Sequence, residues 1–367
     1  MELYQKIWVL SSFLDTEHGK IACQTCHGGN PQDPDWKSAH NGVIRDPTYP
    51  TADHACGECH EKIVSKAKAS LHYTLAPFKR IINLRVGQIG QKPLDQIHQA
   101  REKHCNECHS SCGQCHVARP ASAGGGFLKK HFFLKTPPEE ATCAGCHGAR
   151  IYSEFTGENK EYAADVHYLK KMTCTSCHSA AEMHADATGI ASRRELRERP
   201  RCQNCHEEVM SEKPKTEPHR IHRDRVACQV CHAQANKSCF ECHVGTDKAG
   251  LQYYKCKETR FIFKIGHNPN QSIDRPCRFV VVRHSPATPN LFDAYLKDAM
   301  GDFNSHPTWK IGTPHNIQRI TSRNKGCNNC HGSDALFLNR TDMAVWEQVA
   351  NANVLVPDDL IPKRIAE

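Results

Sequence analysis

Ten copies of the pattern Cys-x-x-Cys-His run through this 367-residue chain. In chain order, motifs one to five are Cys23-Cys26-His27, Cys56-Cys59-His60, Cys105-Cys108-His109, Cys112-Cys115-His116 and Cys143-Cys146-His147. Motifs six to ten are Cys174-Cys177-His178, Cys202-Cys205-His206, Cys228-Cys231-His232, Cys239-Cys242-His243 and Cys327-Cys330-His331. Together they use twenty of the 22 cysteines. A thiol is a nucleophile, and an imidazole is a metal ligand. Two intervening residues let both sulfurs reach one edge of the same planar partner. The adjacent imidazole then faces that partner's centre.

Covalent attachment of haem c uses all three groups at this spacing. Each thiol adds to one vinyl group to form a thioether, and the histidine becomes the proximal iron ligand. Chance would supply roughly 0.1 copies in a chain this rich in Cys and His; ten are present. Zinc ribbons need a second cysteine pair per metal and no histidine at the next position. A thioredoxin-like motif occurs once, on a βαβ unit. A disulfide framework has no reason to repeat one spacing with a fixed histidine. The expected cofactor is therefore ten haem c, with iron bound by His27, His60, His109, His116, His147, His178, His206, His232, His243 and His331.

Ten six-coordinate irons need ten second axial ligands. Fifteen histidines lie outside the motifs. The candidate distal ligands are His18, His40, His54, His72, His98, His104, His131, His167, His184, His219, His222, His306 and His315. His267 and His284 rank lower, as structural residues. Position supports the set. His40 follows His27 by 13 residues, His72 follows His60 by 12, and His219 follows His206 by 13. His18, His98, His167 and His222 each precede a motif by a short step. These recurrences form a degenerate repeat in which each segment serves its own haem and a neighbour's. His54 and His104 sit close to their motifs' first cysteines, so they face adjacent irons rather than their own. None of the six methionines repeats relative to a motif, so bis-histidine, low-potential haems are expected.

On these motifs, which cover residues 23 to 331, the chain resembles the multihaem c-type cytochromes. It is similar to those of extracellular electron transfer, including the nanowire type. The resemblance implies long-range electron transfer, not catalysis. It also implies a fold of mostly irregular loops and short α-helices around a haem chain. Closely spaced motif pairs are also similar to those of octahaem reductases of nitrogen and sulfur compounds. The alternative function is therefore a multihaem reductase of such compounds, or of metals, with one open-site haem. No Cys-x-x-Cys-Lys, which marks a lysine-ligated site in that family, occurs here. Decahaem partners threaded through porins space their motifs more evenly than this chain does.

The composition agrees with a cofactor-filled interior. Only 38% of residues are hydrophobic and 7% aromatic, and mean hydropathy is -0.63. A large side-chain core is out of reach at that content, and without haem the chain is expected not to fold. The formal net charge of +8 comes from scattered Lys and Arg with no run of five, so nucleic acid is not an expected partner. Roughly twenty haem propionates would bring the holoprotein near neutrality. No apolar stretch approaches the length of a transmembrane helix. The first twenty residues lack a basic region followed by an apolar one. Haem attachment implies export, so a removed signal is expected. Localisation is expected to be extracellular or at the cell surface, with the periplasm as alternative. The expected partners are redox proteins or extracellular acceptors, and a homopolymer of the chain itself.

Motif spacing divides the chain into five regions. Residues 1-120 form a tetrahaem region, and residues 121-142, with Gly124-Gly125-Gly126 and Pro137-Pro138, form a linker. Residues 143-243 are pentahaem, and residues 244-326 carry no motif. Residues 327-367 hold the last haem and a tail with a helix over Met343 to Asn351. The close pairs three–four and eight–nine are expected to stack their haems. Apolar β-branched runs predict a small β-hairpin near residues 260-284. Cys256 and Cys277 beside it are the disulfide candidate.

Overall fold

The computed structural model describes residues 7–48, 55–104, 110–158, 161–185, 189–235, 237–260, 263–273, 275–285 and 287–366, without the side chains of 149, 237–242, 254 and 256–260. Motif three and His54 lie outside the described residues.

Helices are short. Among the described residues three exceed ten residues: α1 (Gly57–Ala67), α2 (Ala76–Val86) and α3 (Gln91–His104). α1 begins inside motif two, where Cys56 already has helical backbone angles, and kinks at His60. The strands among the described residues are β1 (Lys237–Thr246), β2 (Gln252–Arg260), β3 (Lys264–His267), β4 (Phe279–His284) and β5 (Trp309–Ile311). β1 and β2 form an antiparallel ribbon with a register shift between Phe240 and His243. β3 pairs with β4 from Lys264↔Val282 to His267↔Phe279, and β5 adds to β4. No helix among the described residues is long and apolar enough to cross a membrane.

The chain gathers into two compact units that interleave the five linear regions. Unit 1 takes residues 1–80, 105–148 and 173–199; unit 2 takes 81–104, 149–172 and 200–367. Unit 1 has almost no aliphatic core. Among the described residues its apolar cluster buries Ala185, Ile190 and Leu196. In unit 2, three clusters do more. One joins α2, α3, Val244 and Phe292 to Phe303. The other two sit on the two faces of the β3–β4 hairpin, with Val281 and Ile265 on one and Val280 and Val282 on the other. That is the alternation a two-sided strand requires.

Three local expectations change. Residues 121-142 are not a spacer. An Ala118↔Phe127 bridge closes a tight loop, and Leu134 at its end accepts a bond from His116. The tail forms separate 3-10 turns, Arg340–Asp342 and Val345–Glu347, in place of one helix. Asn339 caps the first of these turns by accepting from the Thr341 amide, and the first turn ends in extended Met343. Asn351 is spent on Trp309 and Thr308. The Cys256–Cys277 disulfide is the third. Cys277 carries a free thiol 3.7 Å from the Arg223 carbonyl, while the Cys256 side chain lies outside the described residues.

Candidate haem-binding site

Each described motif except the ninth begins as a single helical or 3-10 turn. Cys23–His27, Cys112–His116, Cys143–His147 and Cys228–His232 are one-turn α-helices. Cys202–Asn204 and Cys327–Asn329 are 3-10 turns. In such a turn, residues i and i+3 share one face, so both thiols point the same way. Ser111 caps motif four by accepting from the Gln114 amide. The amides of His60, His178, His206 and His331 donate to the carbonyl of their motif's first cysteine at 2.7–3.0 Å. Motif nine is different: its backbone lies on β1, and its cysteine side chains are outside the described residues. Stacking with motif eight is therefore not a property the described residues display.

Seven motif histidines face a second histidine ring. In unit 1 the pairs are His60–His18 at 6.2 Å between ring centres, His27–His131 at 6.0 Å, His147–His72 at 6.2 Å and His116–His184 at 6.1 Å. In unit 2 they are His206–His167 at 6.2 Å, His232–His219 at 6.1 Å and His331–His222 at 6.0 Å. The spread is 0.2 Å, although the interplanar angles run from 20° to 89°. Ring stacking would fix angle and distance together. Here only the separation is constant. A metal–nitrogen bond of about 2.0 Å, plus about 1.1 Å from nitrogen to ring centre, sets two trans imidazoles about 6.2 Å apart.

The rings are also oriented for ligation. His27, His116 and His232 direct Nδ1 to the carbonyls of Ile44, Leu134 and Gln318 at 2.8, 2.6 and 3.0 Å. Among the second ligands, His222 uses the Pro218 carbonyl, His219 the Thr216 hydroxyl and His167 the Asp165 carboxylate. An acceptor at Nδ1 fixes the proton there and leaves Nε2 for a metal. Burial, then the facing motif histidine, lowers the pKa of His18, His131, His184 and His219. For His72 burial, then His147 and His178, push it to about 4. The neutral imidazole is the ligating form.

The thiols of different motifs meet. In unit 1, Cys26 senses Cys59, Cys56 hydrogen-bonds Cys112, Cys115 senses Cys143 and Cys146, and Cys143 hydrogen-bonds Cys174. Motifs one, two, four, five and six therefore follow one another in space. In unit 2, Cys202 hydrogen-bonds Cys228, and Cys231 senses Cys330, which strings motifs seven, eight and ten.

Haem fits this donor set on two further counts. First, no cluster of three or more His, Cys, Asp or Glu able to hold a metal occurs among the described residues. Two facing imidazoles would be the protein's share of an iron whose other ligands a macrocycle brings. Second, buried guanidinium N–H groups lack acceptors: Arg85 Nη1, Arg101 Nε, Arg275 Nε and Nη1, and Arg323 Nε. Arg85 is 1% exposed and stacks 4.0 Å above Phe303. A guanidinium cannot discharge itself, and a buried unmet donor is costly. Propionates are the acceptors a haem would bring.

The remaining expected ligands have other surroundings. His104 Nε2 and the Tyr295 hydroxyl share a hydrogen bond at 2.7 Å. His40 is exposed, with Nδ1 held by the Trp36 carbonyl at 2.6 Å. His98 buries an Nε2 that has no hydrogen-bond partner, and His315 directs Nδ1 to the Thr313 carbonyl. His306 is half-buried beside the 3-10 turn Phe303–Ser305. His178 lies beside the His72–His147 pair, its Nδ1 on Glu182 at 2.8 Å. His284 bonds Glu347 through Nε2 at 2.5 Å and packs edge-on against Trp309. That bond is a structural tie. His284→Ala is expected to lower stability by about 1–3 kcal/mol, with the haem count and spectrum unchanged. Thermal melts with visible spectra check this.

The Nδ1 acceptors and the arginines with unmet donors are features that motif reading does not reach. Only Asp165-x-His167 and Thr216-x-x-His219 carry a local signal, a capping residue just before a histidine. No protein-family model, curated protein or solved structure matches the chain.

Proposed function

We propose that this chain is a ten-haem c-type cytochrome that conducts electrons along closed, bis-histidine irons. The seven imidazole pairs at 6.0–6.2 Å carry the reading. The holding residues would be the motif cysteines and histidines, with His18, His72, His131, His167, His184, His219 and His222 as second ligands. When bound, haem supplies one-electron exchange between ferric and ferrous iron. The protein's part is to close and order the sites. An iron with an imidazole on each face has no place for substrate. Backbone carbonyls at Nδ1 keep the rings in one orientation, so little rearrangement accompanies a change of charge. Thiol contacts between successive motifs leave almost no protein between neighbouring attachment edges.

The setting that fits is extracellular or at the cell surface, with redox proteins or external acceptors as partners and a homopolymer as the assembled form. Electron microscopy of native material tests the last point: filaments are expected, and uniformly single particles would remove it. The ferric holoprotein is expected to give only low-spin resonances and to leave its spectrum unchanged by cyanide or nitrite. A high-spin signal that titrates with either ligand would favour an open-site reductase.

A further inference from the structure

The two ends of the haem string in unit 2 stand in opposite electrostatic surroundings. At motif seven, the second ligand His167 has a carboxylate at Nδ1. Asp165 Oδ1 accepts from it at 2.9 Å and from the His167 amide at 2.6 Å. Asp165 Oδ2 accepts from the Ile317 amide at 2.6 Å. This side chain is 2% exposed, so water does not dilute its charge. A second carboxylate, Glu208, stands 3.7 Å from His206 Nδ1 but is exposed and screened. At motifs eight and ten the Nδ1 partners of His232, His219 and His222 are neutral: the Gln318 carbonyl, the Thr216 hydroxyl and the Pro218 carbonyl.

Arg323 supplies the opposite charge. Its guanidinium lies where it interacts with both Cys231 of motif eight and Cys330 of motif ten. Its Nη2 donates to the Ala233 carbonyl, and Nε is buried without an acceptor. A neighbouring turn holds it in place: Thr321 Oγ1 donates to the Cys231 carbonyl at 2.5 Å and accepts from the Arg323 amide at 3.3 Å. No carboxylate forms an ion pair with it among the described residues.

We propose that Asp165 and Arg323 are positioning residues that bias the string of unit 2, so that electrons run from motif seven toward motifs eight and ten. The inference rests on the haem reading above. A carboxylate bonded to a ligand imidazole strengthens its donation and favours the ferric state. A buried cation between two attachment edges favours the ferrous state of both. With haem in place, the iron held by His206 and His167 would give up one electron and be oxidised, the iron held by His232 and His219 would take it and be reduced, and no proton would be transferred. An external donor of the redox-protein class would replace the electron at motif seven.

Potentiometric titration of the holoprotein, followed by visible and EPR spectra, tests this. Asp165→Asn keeps an acceptor beside His167 and removes the charge. It is expected to shift one midpoint upward, with ten low-spin haems retained. Arg323→Gln is expected to shift two midpoints downward, and Arg323→Lys to restore them. Unmoved midpoints in both Asp165→Asn and Arg323→Gln, with ten haems attached, would overturn the bias and leave the haem reading intact. Loss of a haem in Asp165→Asn, with unmoved midpoints in Arg323→Gln, would reduce Asp165 to a structural role and also overturn it. A wild-type chain without haem would remove the reading itself.

Discussion

His72→Met is expected to convert one bis-histidine iron to histidine–methionine ligation and to raise its midpoint by on the order of 0.1–0.3 V, within the roughly 0.8 V span that axial ligands command. His72 faces His147 at 6.2 Å, and burial, then His147 and His178, hold it neutral. It sits in the short turn Leu71–Thr74, where Ser70 accepts from the Tyr73 amide and Leu75 closes the turn with φ 49°. Two independent anchors therefore fix the backbone at position 72, and a methionine of similar reach starts from the same place. A near-infrared charge-transfer band from one haem and one upshifted step in the redox titration are the signatures. His72→Ala should instead open the iron, producing a high-spin signal and cyanide binding at one haem in ten. An unchanged spectrum in both variants would show that His72 is not a ligand.

Replacing both Cys143 and Cys146 by Ala is expected to have the largest effect on unit 1. Motif five stands between motifs four and six, through Cys115 on one side and Cys174 on the other. Without thioethers the mass should fall by about 0.6 kDa, one haem. The space between His72 and His147 would then lack its filler. Unit 1 has almost no aliphatic core among its described residues to close it, since its apolar cluster buries three residues there. The expected stability loss is at least about 5 kcal/mol, a cavity cost on the scale of a whole cofactor. Reduction from one end should split into a fast phase and a slow phase, because the string is cut in its middle. A normal melting temperature with single-phase reduction would contradict the ordering of the motifs.

The proposed attachment motifs were legible because their geometry is local: thiols at i and i+3 and the next imidazole need only one turn of backbone. The pairing of second ligands could not. His167 lies just before motif six yet faces His206 of motif seven, and His222 precedes motif eight yet faces His331 of motif ten. Short-range position says that a histidine is available, while tertiary placement decides which motif histidine it faces. His184 and His131 face earlier motifs, at His116 and His27, which forward spacing does not suggest. His104 Nε2 meets the Tyr295 hydroxyl, a contact between residues far apart in the chain that no local pattern announces. The hairpin near residues 260-284 was written in alternating β-branched residues, and β3 and β4 pair there. The third strand, Trp309–Ile311, was not, because a three-residue edge strand carries too little pattern. Motif nine on a strand was hidden for the opposite reason: a haem motif reads the same on any backbone.

The most direct test is intact-mass spectrometry of the purified mature chain, paired with a pyridine haemochrome assay on the same sample. Ten covalent haems are expected, a mass excess of about 6 kDa over the polypeptide, with all ten in the haemochrome band. A chain at its bare polypeptide mass, or one carrying far fewer than ten haems, would contradict the account at its root.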